Sequence, residues 1–157
     1  MQSNPKILIS SCLLGNNVKY NGGNNAIDAM LLAHLFEVAE LIPVCPEVDG
    51  GLPIPRIPAE ELGERVVNRE GEDVTAFFKR GADLALEAAQ SHGVVAAILK
   101  ERSPSCGVHQ VYDGTFSKTV VDGSGTAARL LRQNGIMIFN ENEIEECLEY
   151  LKPRSTP

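Results

Sequence analysis

The run Val94-Val95-Ala96-Ala97-Ile98-Leu99-Lys100 stays apolar until its final lysine. A strand with one face in water alternates apolar and polar residues, whereas one that is apolar throughout is covered on both faces, as in the middle of a parallel sheet. This segment therefore requires helices on both sides of a sheet, and the chain contains the pieces to supply them. Lys6-Ile7-Leu8-Ile9-Ser10-Ser11 reads as a second buried strand, Glu40 to Val44 as a third, and Ile136 to Phe139 as a fourth. Pro43 weakens the third as a ladder partner, because proline has no N–H to donate.

Between these strands the apolar spacing changes to three and four. Ile27, Met30, Leu31, Leu35 and Val38 predict a helix over 26–40, with Asn24 or Asn25 as its cap. Asp73 or Thr75 caps a second helix running through Phe78, Ala82, Ala85 and Ala89 to His92-Gly93. A third covers 126–134, and an acidic one covers 142–151. Residues 46–73 are rich in proline and read as a long loop with a hairpin around Asn68 to Gly71, and residues 107–125 form a glycine-rich stretch.

At 157 residues the chain has the size of one domain, expected over 1–152, with a frayed tail over 153–157. The alternation of strand and helix predicts an α/β class: a Rossmann-like, three-layer fold around a mostly parallel sheet of about four strands. With 14 basic and 21 acidic residues the net charge is −7, a poor match for a long nucleic acid. That balance leaves a small molecule open as partner, and no apolar run is long enough to span a membrane. With no export signal visible, a cytoplasmic location is expected, where cysteines more often bind metals, catalyse or pack than form disulfides.

Three of the four cysteines stand just after predicted strands: Cys12 after the run at 6–11, Cys45 after that at 40–44 and Cys106 after the run at 94–100. In open α/β sheets this carboxyl rim is where ligands bind. The three lie 33 and 61 residues apart, so only the fold can unite them, and Cys147 on the last helix is the odd one out. Three thiolates leave a metal one open position, either on a zinc ion or on one iron of a four-iron cubane, and local spacing does not choose between them.

Several nearby residues have chemical uses. Glu47, two residues beyond Cys45, is a candidate general base or a solvated loop carboxylate. Ser103 and Ser105 are candidate donors to a substrate, or caps of the turn. Lys100 and Arg56 are candidate substrate-binding cations, although the charges at 100–102 also read as a solvated strand exit. His109 reads as an exposed or hydrogen-bonded loop residue more readily than as a ligand.

These segments carry a resemblance. Ser11-Cys12-Leu13-Leu14-Gly15, Cys45-Pro46-Glu47 with Gly50-Gly51-Leu52 and Pro55-Arg56, Ile98-Leu99-Lys100 with Ser103-Pro104-Ser105-Cys106-Gly107, and Tyr112-Asp113-Gly114-Thr115-Phe116 resemble the domain-of-unknown-function 523 family. The resemblance implies a desulfidase acting on a thiolated base such as thiouracil and giving the oxo base and hydrosulfide. It implies a [4Fe-4S] cluster on Cys12, Cys45 and Cys106, whose open iron serves as Lewis acid, together with a catalytic Glu47 and an active-site Ser103. Relatives commonly read Cys-Arg-Tyr-Asp-Gly where this chain has Val18-Lys19-Tyr20-Asn21-Gly22, so a second rim thiol is missing. The rival readings are a zinc-binding hydrolase and a non-catalytic redox-sensing domain built on a cluster or thiols.

Overall fold

The computed structural model describes residues 4–152; the tail expected at 153–157 lies outside the described residues. In chain order the elements are β1 (Lys6–Ser10), a 3-10 turn (Ser11–Leu14), α1 (Ala29–Val38), β2 (Glu40–Val44), α2 (Pro46–Asp49), β3 (Ala59–Leu62), β4 (Arg65–Asn68), α3 (Thr75–His92), β5 (Ala96–Leu99), β6 (Gln110–Tyr112), β7 (Val120–Asp122), α4 (Thr126–Gln133), β8 (Met137–Asn140) and α5 (Ile144–Leu151). The main sheet has four parallel strands in the order β2-β1-β5-β8.

Successive side chains on a strand point to opposite faces, and in β1 and β5 both sets are apolar. Leu8, Ala97 and Leu99 meet Ala82 and Ala85 of α3 and Ala127 and Leu131 of α4 on one face. Ile7, Ile9, Ala96 and Ile98 meet Leu35 of α1 and Ile144, Cys147 and Leu151 of α5 on the other. The result is the expected three-layer α/β fold, with all of β5 buried. β2 is an edge strand, which is why it tolerates an exposed Pro43.

The sequence of connections reverses direction between β1 and β5. From β1 the chain goes out to β2, then crosses back to lay β5 on the far side of β1, so the connections after β1 and β5 part at this switch point, the place where open α/β sheets bind ligands.

Local details differ from the sequence reading: the N-cap residue of α3 is Val74, between the two expected candidates, with no side-chain capping bond. α1 starts at Ala29, because Asp28 is its cap and accepts the N–H groups of Met30 and Leu31, both at 3.1 Å. Asn24 caps only the turn before it, accepting Ala26 N. The hairpin in 46–73 is β3-β4, turning at Gly63, while Asn68 to Gly71 form the next turn, where Asn68 Oδ1 accepts Glu70 N and Glu72 N. The glycine-rich stretch contains a second small hairpin, β6-β7, whose three-residue strands are too short to show a periodicity.

One contact fixes the short helix α2. A Cβ on Gly81, in the middle of α3, would stand 1.9 Å from Pro46 O, and one on Gly50 would stand 2.1 Å from Phe77 O. Glycine at both positions lets the backbones of α2 and α3 touch directly, which presses Cys45-Pro46-Glu47 against the body of the fold.

Candidate active site on the carboxyl rim

β1, β2 and β5 are adjacent, with Ser10 opposite Val44 and Ile9 opposite Ile98, so the strands end level. Cys12 lies in the 3-10 turn after β1, Cys45 is the N-cap residue of α2 directly after β2, and Cys106 lies in the loop after β5. All three thiols are free, and the fold brings them to one rim as expected. Cys147 is free as well but lies on α5, fully buried in the core between the sheet, α1 and α5.

The Cys106 loop is clamped from below by α4. The first N–H groups of a helix have no partner inside it, and here those of Thr126 and Ala127 donate to Pro104 O (3.0 Å) and Ser105 O (2.9 Å). Within the loop, Ser103 Oγ accepts the N–H groups of Ser105 and Cys106, both at 3.1 Å. The turn-capping alternative for Ser103 is therefore met, and its own hydroxyl hydrogen remains available to donate.

Glu47 is the centre of a polar network. Its Oε1 accepts Arg56 Nε at 3.0 Å, in a pair whose side chains are only 6% (Arg56) and 15% (Glu47) exposed. Its Oε2 accepts Ser105 Oγ at 3.0 Å and Ser103 Oγ at 3.3 Å. The choice between solvated loop carboxylate and placed carboxylate falls to the second. Arg56 also donates to Val18 O (3.0 Å) and Pro53 O (3.3 Å), so it is tied to protein and holds Glu47. Lys100 pairs with Glu141 at 2.9 Å and lies on the Cys12 side, where its charge acts on that thiol. Arg56 thus acts on the Cys45 thiol and Lys100 on the Cys12 thiol. His109 pairs with Glu143 at 3.1 Å, away from the thiols.

The sulfurs have hydrogen-bond partners. Asn25 Nδ2 donates to Cys12 Sγ (3.5 Å), Ser105 Oγ faces Cys106 Sγ (3.7 Å), and Cys45 Sγ reaches Val18 O at 4.0 Å. Burial pushes all three thiols upward: Cys12 and Cys45 above their ordinary value and Cys106 to about 12. For Cys106, hydrogen bonds from Ser10 and Ser105 work against this rise, while the charge of Cys12, once that thiol is ionised, and the charge of Glu47 add to it. Without a metal the site therefore holds protonated thiols, and binding a metal there would displace protons.

The donor set, three cysteine sulfurs, fits an iron–sulfur cluster. A tetrahedral zinc at about 2.3 Å from each sulfur draws three sulfurs together to about 4 Å. Among the described residues, no three His, Cys, Asp or Glu side chains are grouped to hold one metal ion. Cysteines that each bind a different iron of a cubane need no such convergence. Free thiols on three loops, two of them facing donors (the Asn25 amide at Cys12 and the Ser105 hydroxyl at Cys106), suit that group.

Three participants escaped the sequence reading. Asn25 is a partner of Cys12 rather than a helix cap. The carbonyl of Val18 meets both Arg56 and Cys45, so this position, expected at the rim for its missing thiol, takes part through its backbone instead. Glu101 is 8% exposed rather than part of a solvated exit. Its only sequence signal is a carboxylate placed one residue beyond the most apolar strand.

Fold and rim together define a doubly wound α/β protein with three thiols and a fixed carboxylate at the carboxyl ends of neighbouring strands. The chain belongs to the 2-thiouracil desulfurase family, a family of enzymes, which it matches over residues 7–143. It is 40% identical over 152 residues to the uncharacterized protein YbbK of Bacillus subtilis (strain 168), covering 90% of this chain and 99% of that one. It is also similar to a solved structure titled as the [4Fe-4S]-dependent thiouracil desulfidase TudS, of the domain-of-unknown-function 523 group. That likeness has a TM-score of 0.90 and 44% identity, over 95% of this chain and 99% of that one. The resemblance drawn from the cysteine motifs and the expected fold are both borne out.

Proposed function

We propose that this chain is a desulfidase that converts a thiolated nucleobase, thiouracil or a close analogue, and water into the oxo base and hydrogen sulfide. Cys12, Cys45 and Cys106 would hold a [4Fe-4S] cluster, which supplies a Lewis acid that polarises the carbon–sulfur bond without net electron transfer. The observation that carries this reading is the placement of Glu47, clamped by Arg56 on one oxygen and facing two hydroxyls with the other, within the electrostatic reach of Cys106.

The division of labour follows from those bonds. Arg56 fixes the carboxylate through Oε1, and Oε2 takes a proton from the attacking water. Ser103 cannot turn away, since two N–H groups hold its oxygen, so its hydroxyl either serves Oε2 or hands a proton to the departing sulfur. Ser105 lies 3.0 Å from Ser103 and shares Oε2, which makes the pair a short relay. Lys100 places positive charge on the Cys12 side, where an electron-rich ring oxygen or sulfur is stabilised. The enzyme's free thiols suit the reducing cytosol, and no helix among the described residues is long and apolar enough to cross a membrane.

The test is thiouracil turnover by protein prepared without oxygen, with iron and acid-labile sulfide measured beside it. Glu47→Gln should lose at least about a hundredfold in kcat, the order of a general base's contribution, and keep its iron and visible spectrum. Full turnover by this variant would refute the role given to Glu47. Zinc without labile sulfide in the active parent would refute the cluster.

A further inference from the structure

Glu101 is the most heavily engaged carboxylate among the described residues, yet nothing in the reaction just outlined uses it. Its Oε1 accepts the backbone N–H groups of Val108 (2.6 Å), His109 (2.9 Å), Gln110 (3.1 Å) and Arg102 (3.3 Å). Its Oε2 accepts Asn140 Nδ2 at 2.8 Å, and its own N–H donates to Glu141 Oε1. A nearly buried carboxylate is costly unless it is hydrogen-bonded on both oxygens, and this one is. Bonds to an ionised acceptor are also about twice as strong as neutral ones.

The placement of these donors matters. Arg102 opens the loop that carries Ser103, Ser105 and Cys106, and Val108, His109 and Gln110 close it. One carboxylate thus gathers both ends of that loop and, through Asn140, ties them to the end of β8. A second observation points the same way: Arg102 has φ of 68°, a left-handed conformation that a non-glycine residue adopts only under constraint. Glu101 is the immediate neighbour that supplies such a constraint, since it binds Arg102 N.

We infer that Glu101 is a positioning residue: its carboxylate, braced by Asn140, closes the 102–110 loop and so sets Cys106, Ser103 and Ser105 against Glu47. Glu101 touches neither thiol nor reacting atom, and it acts through the loop. The inference rests on the proposed function only in taking this loop to be the reactive one.

Glutamine at 101 keeps the size but removes the charge and turns an amide toward donors it cannot accept from. The probe is iodoacetamide on the metal-free full chain, with modification of each cysteine followed by mass spectrometry. Cys106 and Cys147 are both buried, on opposite sides of the sheet, so Cys147 reports general unfolding and Cys106 reports the loop. In Glu101→Gln, modification of Cys106 should speed up by about tenfold, one decade in the opening equilibrium, while Cys147 keeps its parental rate. Equal acceleration of both, or no change at Cys106, would overturn the inference. Should Glu101→Gln not fold, Asn140→Ala removes the side-chain brace on Glu101, together with a turn bond from Asn142 N at the end of β8, and it should show the same selectivity for Cys106 with a smaller acceleration. The readout needs neither cluster nor turnover, so failure of the desulfidase assay leaves it intact, and failure here leaves that assay intact.

Discussion

Replacing Gly81 by alanine sets two effects of opposite sign against each other. Gly81 lies inside α3, where alanine is better than glycine by about 1 kcal/mol through backbone entropy alone, so propensity predicts a more stable protein. The added Cβ, however, would stand 1.9 Å from Pro46 O and 2.6 Å from Pro46 C, both backbone atoms with no rotamer to yield. Ordinary contact begins at 3.4 Å, so α2 must retreat by roughly 1.5 Å. Overpacking costs about 1–3 kcal/mol, and two rigid backbones put this case at the upper end, for a net loss of about 2 kcal/mol. In a domain of this length each kcal/mol moves Tm by about 2–4 °C, so thermal unfolding of the metal-free chain should shift down by about 4–8 °C. Turnover should suffer more, because α2 carries Glu47 and a misplacement of about 1 Å in a reacting group can cost a hundredfold. An unchanged or raised Tm would refute the reasoning, since it would mean that α2 moves away without resistance.

Arg56→Met leaves Glu47 without its partner in a largely buried pair; it should cost about 3–5 kcal/mol in chemical denaturation and abolish turnover. Changing Cys12, Cys45 or Cys106 to Ala should each reduce bound iron to background, whereas Cys147→Ala should retain the parent's iron and lose only about 1–2 kcal/mol from the core. Burial alone would push Glu101 up, but hydrogen bonds from Asn140 and from the N–H groups of His109, Gln110 and Val108 outweigh it and hold its carboxyl below the usual range. A group with a depressed folded value stabilises the fold above its ordinary value of about 4.3 and loses that contribution as pH falls through the folded value. Acid titration of stability should therefore show a shallower loss below about pH 4 in Glu101→Gln than in the parent.

The sheet was legible because β1 and β5 are apolar on both faces, a pattern that only a covered parallel strand satisfies. The three rim cysteines were legible for the same reason: once the strands are placed, their carboxyl ends are placed. The clamp on Glu47 was not, since Arg56 reaches it across a turn whose course depends on α2 lying flat on α3, and no local period encodes that contact. Nor was the role of Glu101, because four of its five donors are backbone N–H groups, which every non-proline residue possesses and no sequence pattern marks. The β6-β7 hairpin failed to register because three residues per strand give alternation nothing to repeat.

The order β2-β1-β5 has a consequence for how the protein matures. Cys12 and Cys45 come together when β1 pairs with β2 around α1, a connection of modest length, but Cys106 arrives only after the chain has crossed back through α3 to lay β5 on the other side of β1. Parallel pairings across such distances form late, since loop closure must precede any gain from contact. An incomplete chain brings two of the three rim thiols together, and the full set exists only once the central pair of strands is joined. If Cys12, Cys45 and Cys106 hold the cluster as proposed, cofactor loading would act as a proofreading step for chain topology: a molecule that has misplaced β5 would lack the third ligand.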